Sequence, residues 1–258
     1  ERFFYVFQSH GLTLLDVVDL MKGYGFSLSS LENNNQVLNL LTRDAIRYVA
    51  NMFFCSQKWL MGASDDQRDF TYDVNWYKKT YEIATKLISY HRDGFDPEVF
   101  FIRRENADFV NAKESKDDGS NNEPIGIFIR LSRAKADGTR FYVYQTGELQ
   151  RWNYRRYREQ LKLLICFCEQ ANSVVTYSGH ELSKKDIDAV FYGRCLPNDV
   201  LRQAGQKTWF PRRYVGISGD VLEEADEWAD VAAAYTASGL QKILEEYRNK
   251  PFQPNFAQ

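Results

Sequence analysis

Three histidines, four cysteines and a group of arginines among aromatic rings are the residues whose chemistry spacing can test. His180-Glu181 begins a His-Glu-x-x-His pattern, in which two imidazoles one helical turn apart hold zinc and the glutamate acts as base. The second imidazole would fall at Lys184, so the pattern lacks a ligand. Cys166 and Cys168, two apart, point to different sides of a helix and lack metal spacing; buried thiols are expected there. With only His10, His91 and His180, and no glycine-rich phosphate loop of the right form, neither an enzyme nor a cofactor or metal site is expected. Arg151, Arg155, Arg156, Arg158 and Lys162 surround Trp152, Tyr154 and Tyr157, while Arg212-Arg213-Tyr214 follows Trp209-Phe210-Pro211. Cations between aromatics suit phosphate contact and base stacking, which makes Arg151, Arg155, Arg156 and Arg158 a secondary basic face. The plainer alternative is a solvated helix face paired with Glu148 and Glu159, and the balance of 28 basic and 28 acidic residues over 67–258 favours it.

These side chains need elements to hold them. The spacing predicts helices over 2–9, 12–21 and around 26–31, punctuated by Gly11 and by Lys22-Gly23-Tyr24-Gly25. A longer helix opens at Thr42 as N-cap and buries Ile46, Val49, Ala50 and Phe53. After the polar stretch 64–69, a helix is expected over 76–91. The period then changes. Val99–Ile102, Ile125–Leu131 and Arg140–Gln145 are β-branched and aromatic runs, the last two joined by hairpin residues Ala136-Asp137-Gly138. Residues 111–123, nearly devoid of apolar side chains, read as a mobile surface loop. A helix over 152–170, a strand at 174–177, and a helix capped at Ser183 with Asp186 that carries Ile187, Val190 and Phe191 follow. Residues 220–247 close the chain as helix broken near Gly239. Strands flanked by helices make the expected class α+β, an all-α amino-terminal part followed by an α+β part with a small antiparallel sheet.

Composition bounds the function. The 258 residues are 44% hydrophobic and 26% charged, the proportions of a globular chain. No apolar run approaches the roughly 20 residues that cross a bilayer, and no basic stretch with an apolar run and cleavage site opens the sequence, so a cytoplasmic protein without membrane contact is expected. A net charge of −2 gives little general attraction to a polyanion. The scattered cysteines suit reduced thiols. Aromatic residues reach 15%, which suggests a well-filled core and a flat recognition surface.

Glu1 to Thr13, ending in Gly11-Leu12-Thr13, resembles the first helix and following Gly-Leu-Thr of the lambda-repressor-like (XRE-type) helix-turn-helix family. The likeness continues without a gap through Val17 and Leu20-Met21 to Leu31-Glu32-Asn33, where that family commonly has Ile-Glu-Asn. It resumes, after an apparent three-residue insertion within 34–41, at Thr42, Val49-Ala50 and Cys55-Ser56-Gln57-Lys58-Trp59-Leu60-Met61-Gly62, similar to the family's Val-Ser-x-x-Trp-Leu-x-Gly ending. The resemblance implies a helix-turn-helix domain over 1–66, with 67–258 as a dimerisation or effector domain. It also implies a homodimeric repressor that lays Tyr24–Leu31 in successive major grooves of double-stranded DNA.

On that reading Leu28 and Leu31 face the core and Phe26, Ser27, Ser29 and Ser30 face outward. The expected DNA contacts are Thr13, Tyr24, Phe26, Ser27, Ser29, Ser30, Asn33, Asn35 and Arg43, with a small-molecule effector or protein partner as input. Residues 1–66 hold five cations against seven carboxylates. The alternative is therefore an adaptor or protein-interaction module whose helix-turn-helix does not read DNA.

Overall fold

A computed structural model describes residues 1–114, 122–202, 207–216 and 225–249. Among the described residues the chain is mixed α and β, with thirteen α-helices and one six-stranded sheet. Two compact units divide it: residues 1–73, 132–145 and 188–204 form the first, and 74–131, 146–187 and 205–258 the second.

Short polar side chains set where the helices of the first unit begin. After α1 (Arg2–Ser9), Thr13 caps α2 (Leu14–Met21): its hydroxyl accepts from the Asp16 amide at 3.3 Å, and the Asp16 carboxylate accepts from the Thr13 amide at 2.7 Å. Ser27 caps α3 (Leu28–Leu31) in the same reciprocal manner, while the side chains of Asn33, Thr42 and Ser56 accept from the first amides of α4 (Asn34–Leu40), α5 (Arg43–Phe53) and α6 (Gln57–Leu60). Each cap supplies an acceptor to an amide that has no partner inside the helix.

The core between them is aromatic. Phe3 stacks on Phe26 at 5.3 Å between centroids, and Phe7 meets Phe53 edge-on at 5.0 Å. Trp59 is buried beside α1, with its ring 5.9 Å from Tyr5 and its carbonyl accepting from Arg2 at 2.9 Å. Val49, Ala50 and Phe53 are buried as their spacing predicts. Ile46 is only half-buried, because Ala45 occupies the inward place.

Residues 132–145 and 188–204 complete this unit. The hairpin turn at 136–138 has Gly138 at φ +81°, a conformation that favours glycine, and Lys135 N–H donates to the Thr139 carbonyl at 2.8 Å. Arg68 pairs with Asp73 at 2.6 Å and donates to the Phe191 carbonyl at 2.5 Å. The Tyr5 hydroxyl donates to Asp199 at 2.6 Å.

The remaining elements, in chain order, are α7 (Thr80–Arg92), β1 (Glu98–Arg104), α8 (Phe109–Glu114), β2 (Pro124–Ala134), β3 (Arg140–Thr146), β4 (Gln150–Arg151), α9 (Arg155–Gln170), β5 (Thr176–Leu182), α10 (Lys184–Phe191), α11 (Pro197–Leu201), β6 (Lys207–Trp209), α12 (Ala225–Ala237) and α13 (Leu240–Asn249). The sheet order is β3-β2-β1-β5-β6, with β4 paired to β2. β1 runs antiparallel to β2 but parallel to β5, Phe101 lying opposite Ile127 and Gly179. The expected antiparallel sheet is thus a mixed one. The intervening chain with α9 supplies the long crossover that a parallel pair requires.

Three of the boundaries that differ from the sequence reading do so for local reasons. Val174 and Val175 belong to the turn that ends α9, both amides donating to the Ala171 carbonyl, so β5 starts at Thr176. Within the expected loop 111–123, Asn111–Lys113 lie on α8 and Glu123 is buried against Arg104; residues 115–121 lie outside the described part. α7 begins at Thr80 because Lys78 takes a positive φ of +58° just before it. Ser183 does cap α10, its hydroxyl accepting from the Asp186 amide at 3.1 Å. Gly239, at φ +75°, separates α12 from α13.

Candidate functional site

The expected reading segment is not one helix. Residues 22–24 form a 3₁₀ turn, Gly25 adopts φ +82°, and helix resumes only for the single turn of α3. Phe26 and Ser30, read as outward-facing, are buried. The reason is local: Phe26 fills the space over Phe3, and Ser30 closes a reciprocal cap in which its hydroxyl accepts from the Ser27 amide at 2.9 Å while Ser27 accepts from the Ser30 amide at 3.2 Å. Leu28, read as core, is 50% exposed instead, and Leu31 is half-buried. The face of the short helix is rotated relative to the expectation.

The other expected contacts are scattered. Thr13 is exposed, but its hydroxyl donates to Asp16 at 2.8 Å while capping α2. Burial works against the Asp16 charge, yet bonds from Thr13 and the Lys135 ammonium at 3.2 Å hold its carboxyl below the usual range. Tyr24 is half-buried with its ring 5.1 Å from Tyr48. Ser27 and Ser29 are exposed and bonded to each other at 3.0 Å. Asn33 is exposed, and its side-chain oxygen accepts from the amides of Asn35 and Gln36. Arg43, at the start of α5, is exposed and has no ion pair among the described residues.

What the sequence reading passed over is α4 itself, which occupies the stretch read as holding a three-residue insertion. Val37 is its one buried side chain; Asn34, Asn35, Gln36, Leu38 and Asn39 are exposed. Asparagine is a poor helix former, and no residue from 33 to 42 carries a charge, so helix stability does not account for this composition. Amides in that position can donate and accept together, as the adenine edge requires in the major groove. The available signal was Asn33 itself, a good N-cap followed by apolar Val37 and Leu40 at helical spacing.

No family model, curated protein or solved structure matches the chain.

The expected basic face divides in two. Arg155 and Arg156 are exposed on α9, and Arg155 pairs with Glu159 at 2.8 Å and Asp230 at 2.5 Å. Arg151 is half-buried on β4. Arg158 and Lys162 are not on a solvated face: they are 3% and 0% exposed and donate to Glu227 of α12 at 2.6 and 2.7 Å. Burial alone would raise the Glu227 pKa, but the bonds from Arg158 and Lys162 overcome it and hold the carboxyl at about 2.

The rings read as stacking platforms are likewise engaged. Trp152 stacks on Phe109 at 4.0 Å, Trp209 and Tyr214 meet at 5.7 Å, and Arg103 lies 5.0 Å from the Trp209 ring. His180 lies on β5 with its ring 4.3 Å from Phe100. Among the described residues no three histidine, cysteine or carboxylate groups are arranged to hold a metal, and no helix is long and apolar enough to cross a membrane.

Proposed function

We propose that the chain is a duplex-DNA-binding regulator of the repressor type, acting as a dimer, whose reading element is α4 rather than Tyr24–Leu31. The observation that carries this reading is the exposed, uncharged amide face Asn34, Asn35, Gln36 and Asn39 on a helix that packs against α3. Arg43 follows that helix within three residues and would meet phosphate. The caps on α2, α3 and α4 hold the backbone that presents these groups.

Fluorescence polarisation against duplex genomic fragments at two salt concentrations tests it. The few cations available predict that log affinity falls against log salt with a slope of magnitude about 4 to 6. Replacing Asn35 by Ala should cost about 1 to 3 kcal/mol of discrimination at one base position and leave the fold intact.

A second reading is favoured by Leu14, Leu15, Leu28 and Leu38, which are 50% to 66% exposed on α2, α3 and α4. Apolar side chains of this size on adjoining helices suit a protein partner better than a phosphate backbone. Absence of duplex affinity at low salt, from folded protein, would overturn the DNA reading in favour of this one.

A further inference from the structure

Within the first unit, His10, Lys135, Arg140, Asn198 and Arg202 help to line a cavity of about 230 Å³. Its lining residues include three cations and no carboxylate. Each cation is positioned by the chain. The Arg140 guanidinium donates to Ser132 Oγ at 2.5 Å, and Lys135 is held by Asp16. Arg202 reaches past Gly11 to the Gln8 carbonyl at 3.4 Å, and a Cβ at residue 11 would lie 2.5 Å from its Nη2. Gly11 therefore serves both its own φ of +71° and the approach of this guanidinium.

His10 also lines the cavity. His10 Nδ1 lies 2.7 Å from the Val6 carbonyl, which can only accept; the proton is therefore on Nδ1 and Nε2 is an acceptor. Burial pushes the His10 pKa down to about 4, so at neutral pH the ring contributes this acceptor and no charge.

The geometry points to a binding site for a compact anion, with its phosphate or carboxylate group on Arg140, Arg202 and Lys135. The guanidinium fork matches either anionic group, and the cavity lies below the roughly 300 Å³ at which pockets for drug-sized ligands begin, which limits the ligand to a compact one. The site is independent of whether α4 reads DNA.

Isothermal titration of the full chain with ribose 5-phosphate, gluconate, inorganic phosphate and ribose tests the assignment. Saturable binding of ribose 5-phosphate, gluconate or inorganic phosphate is expected, with ribose silent. Arg202→Gln should weaken the anion by about tenfold. Arg202→Lys, which keeps the charge beside Gln8 and loses the fork, is the second variant should Arg202→Gln not fold; it should weaken binding by several-fold. No saturable heat with any of the three anions, or affinity unchanged in the Arg202 variant that folds, would overturn the assignment.

Discussion

Both units have an aromatic core and pair buried charge, but each has one feature that stands out. In the second, Arg158, Lys162 and Glu227 are buried together, and Phe109, Trp152, Trp209 and Tyr214 fill the space near them with rings. In the first, the caps of α2 to α4 hold up leucines and amides that face solvent. Burying an ion cluster is costly and yields a stiff interior only when every member is paired. Exposing leucine and asparagine on helices adds nothing to stability, so their place is better explained by what they contact. One unit reads as scaffold and the other as a presenting surface.

The largest expected effect would break the scaffold side of that contrast. Glu227→Ala leaves Arg158 and Lys162 buried without their shared carboxylate, and the loss should be about 3 to 5 kcal/mol in urea denaturation. A loss under about 1 kcal/mol would mean that water reaches the cluster and that the unit is not held by it. The pH dependence follows from the same groups. Because the folded pKa of Glu227 is depressed, its stabilisation is fully present above the ordinary carboxyl value of 4.5 and is lost as pH falls through about 2.

The presenting unit should respond to acid earlier. His10 is buried and neutral, with burial lowering its pKa from 6.5 to about 4. The unfolded state therefore binds a proton that the folded state refuses between those values. Stability is full above about pH 6.5, declines as pH falls, and levels off below about 4, the whole change being about 3 kcal/mol. His10→Leu should flatten urea midpoints between pH 7 and 4. A slope unchanged in that variant would assign the acid sensitivity to another group.

Much of this contrast was legible in the sequence at the level of elements and little at the level of faces. Thr42, Ser183 and Gly239 announced helix boundaries through their own chemistry, and the hairpin residues 136–138 did the same for β2 and β3. The parallel neighbour of β1 was not legible, because pairing across the crossover depends on packing that no local pattern encodes. Arg158 and Lys162 looked like a solvated face since their partner, Glu227, lies more than sixty residues away. The expected faces of 26–31 differ through rotation: Phe26 took a core position that spacing had assigned to Leu28, and Ser27 and Ser30 turned to capping.

The smallest expected effect sharpens that last point. If Ser27 capped nothing and read bases, Ser27→Ala would leave stability unchanged and weaken any duplex complex. Its hydroxyl instead accepts from the Ser30 amide at 3.2 Å, and the Ser30 hydroxyl returns a bond to the Ser27 amide. Removing it should therefore cost about 1 kcal/mol of stability, the ordinary value for a lost N-cap. Ser27→Asn, which keeps a capping oxygen, should restore most of that loss, and duplex affinity should not follow either substitution. The comparison to make is with Asn35→Ala on α4, where the opposite pattern is expected: affinity lost and the denaturation midpoint held, since the exposed side chain of Asn35 has no part in the cap of its helix. If Ser27→Ala instead lowered affinity while leaving the midpoint in place, the reading element would return to the segment before α3, and α4 would become a solvated helix.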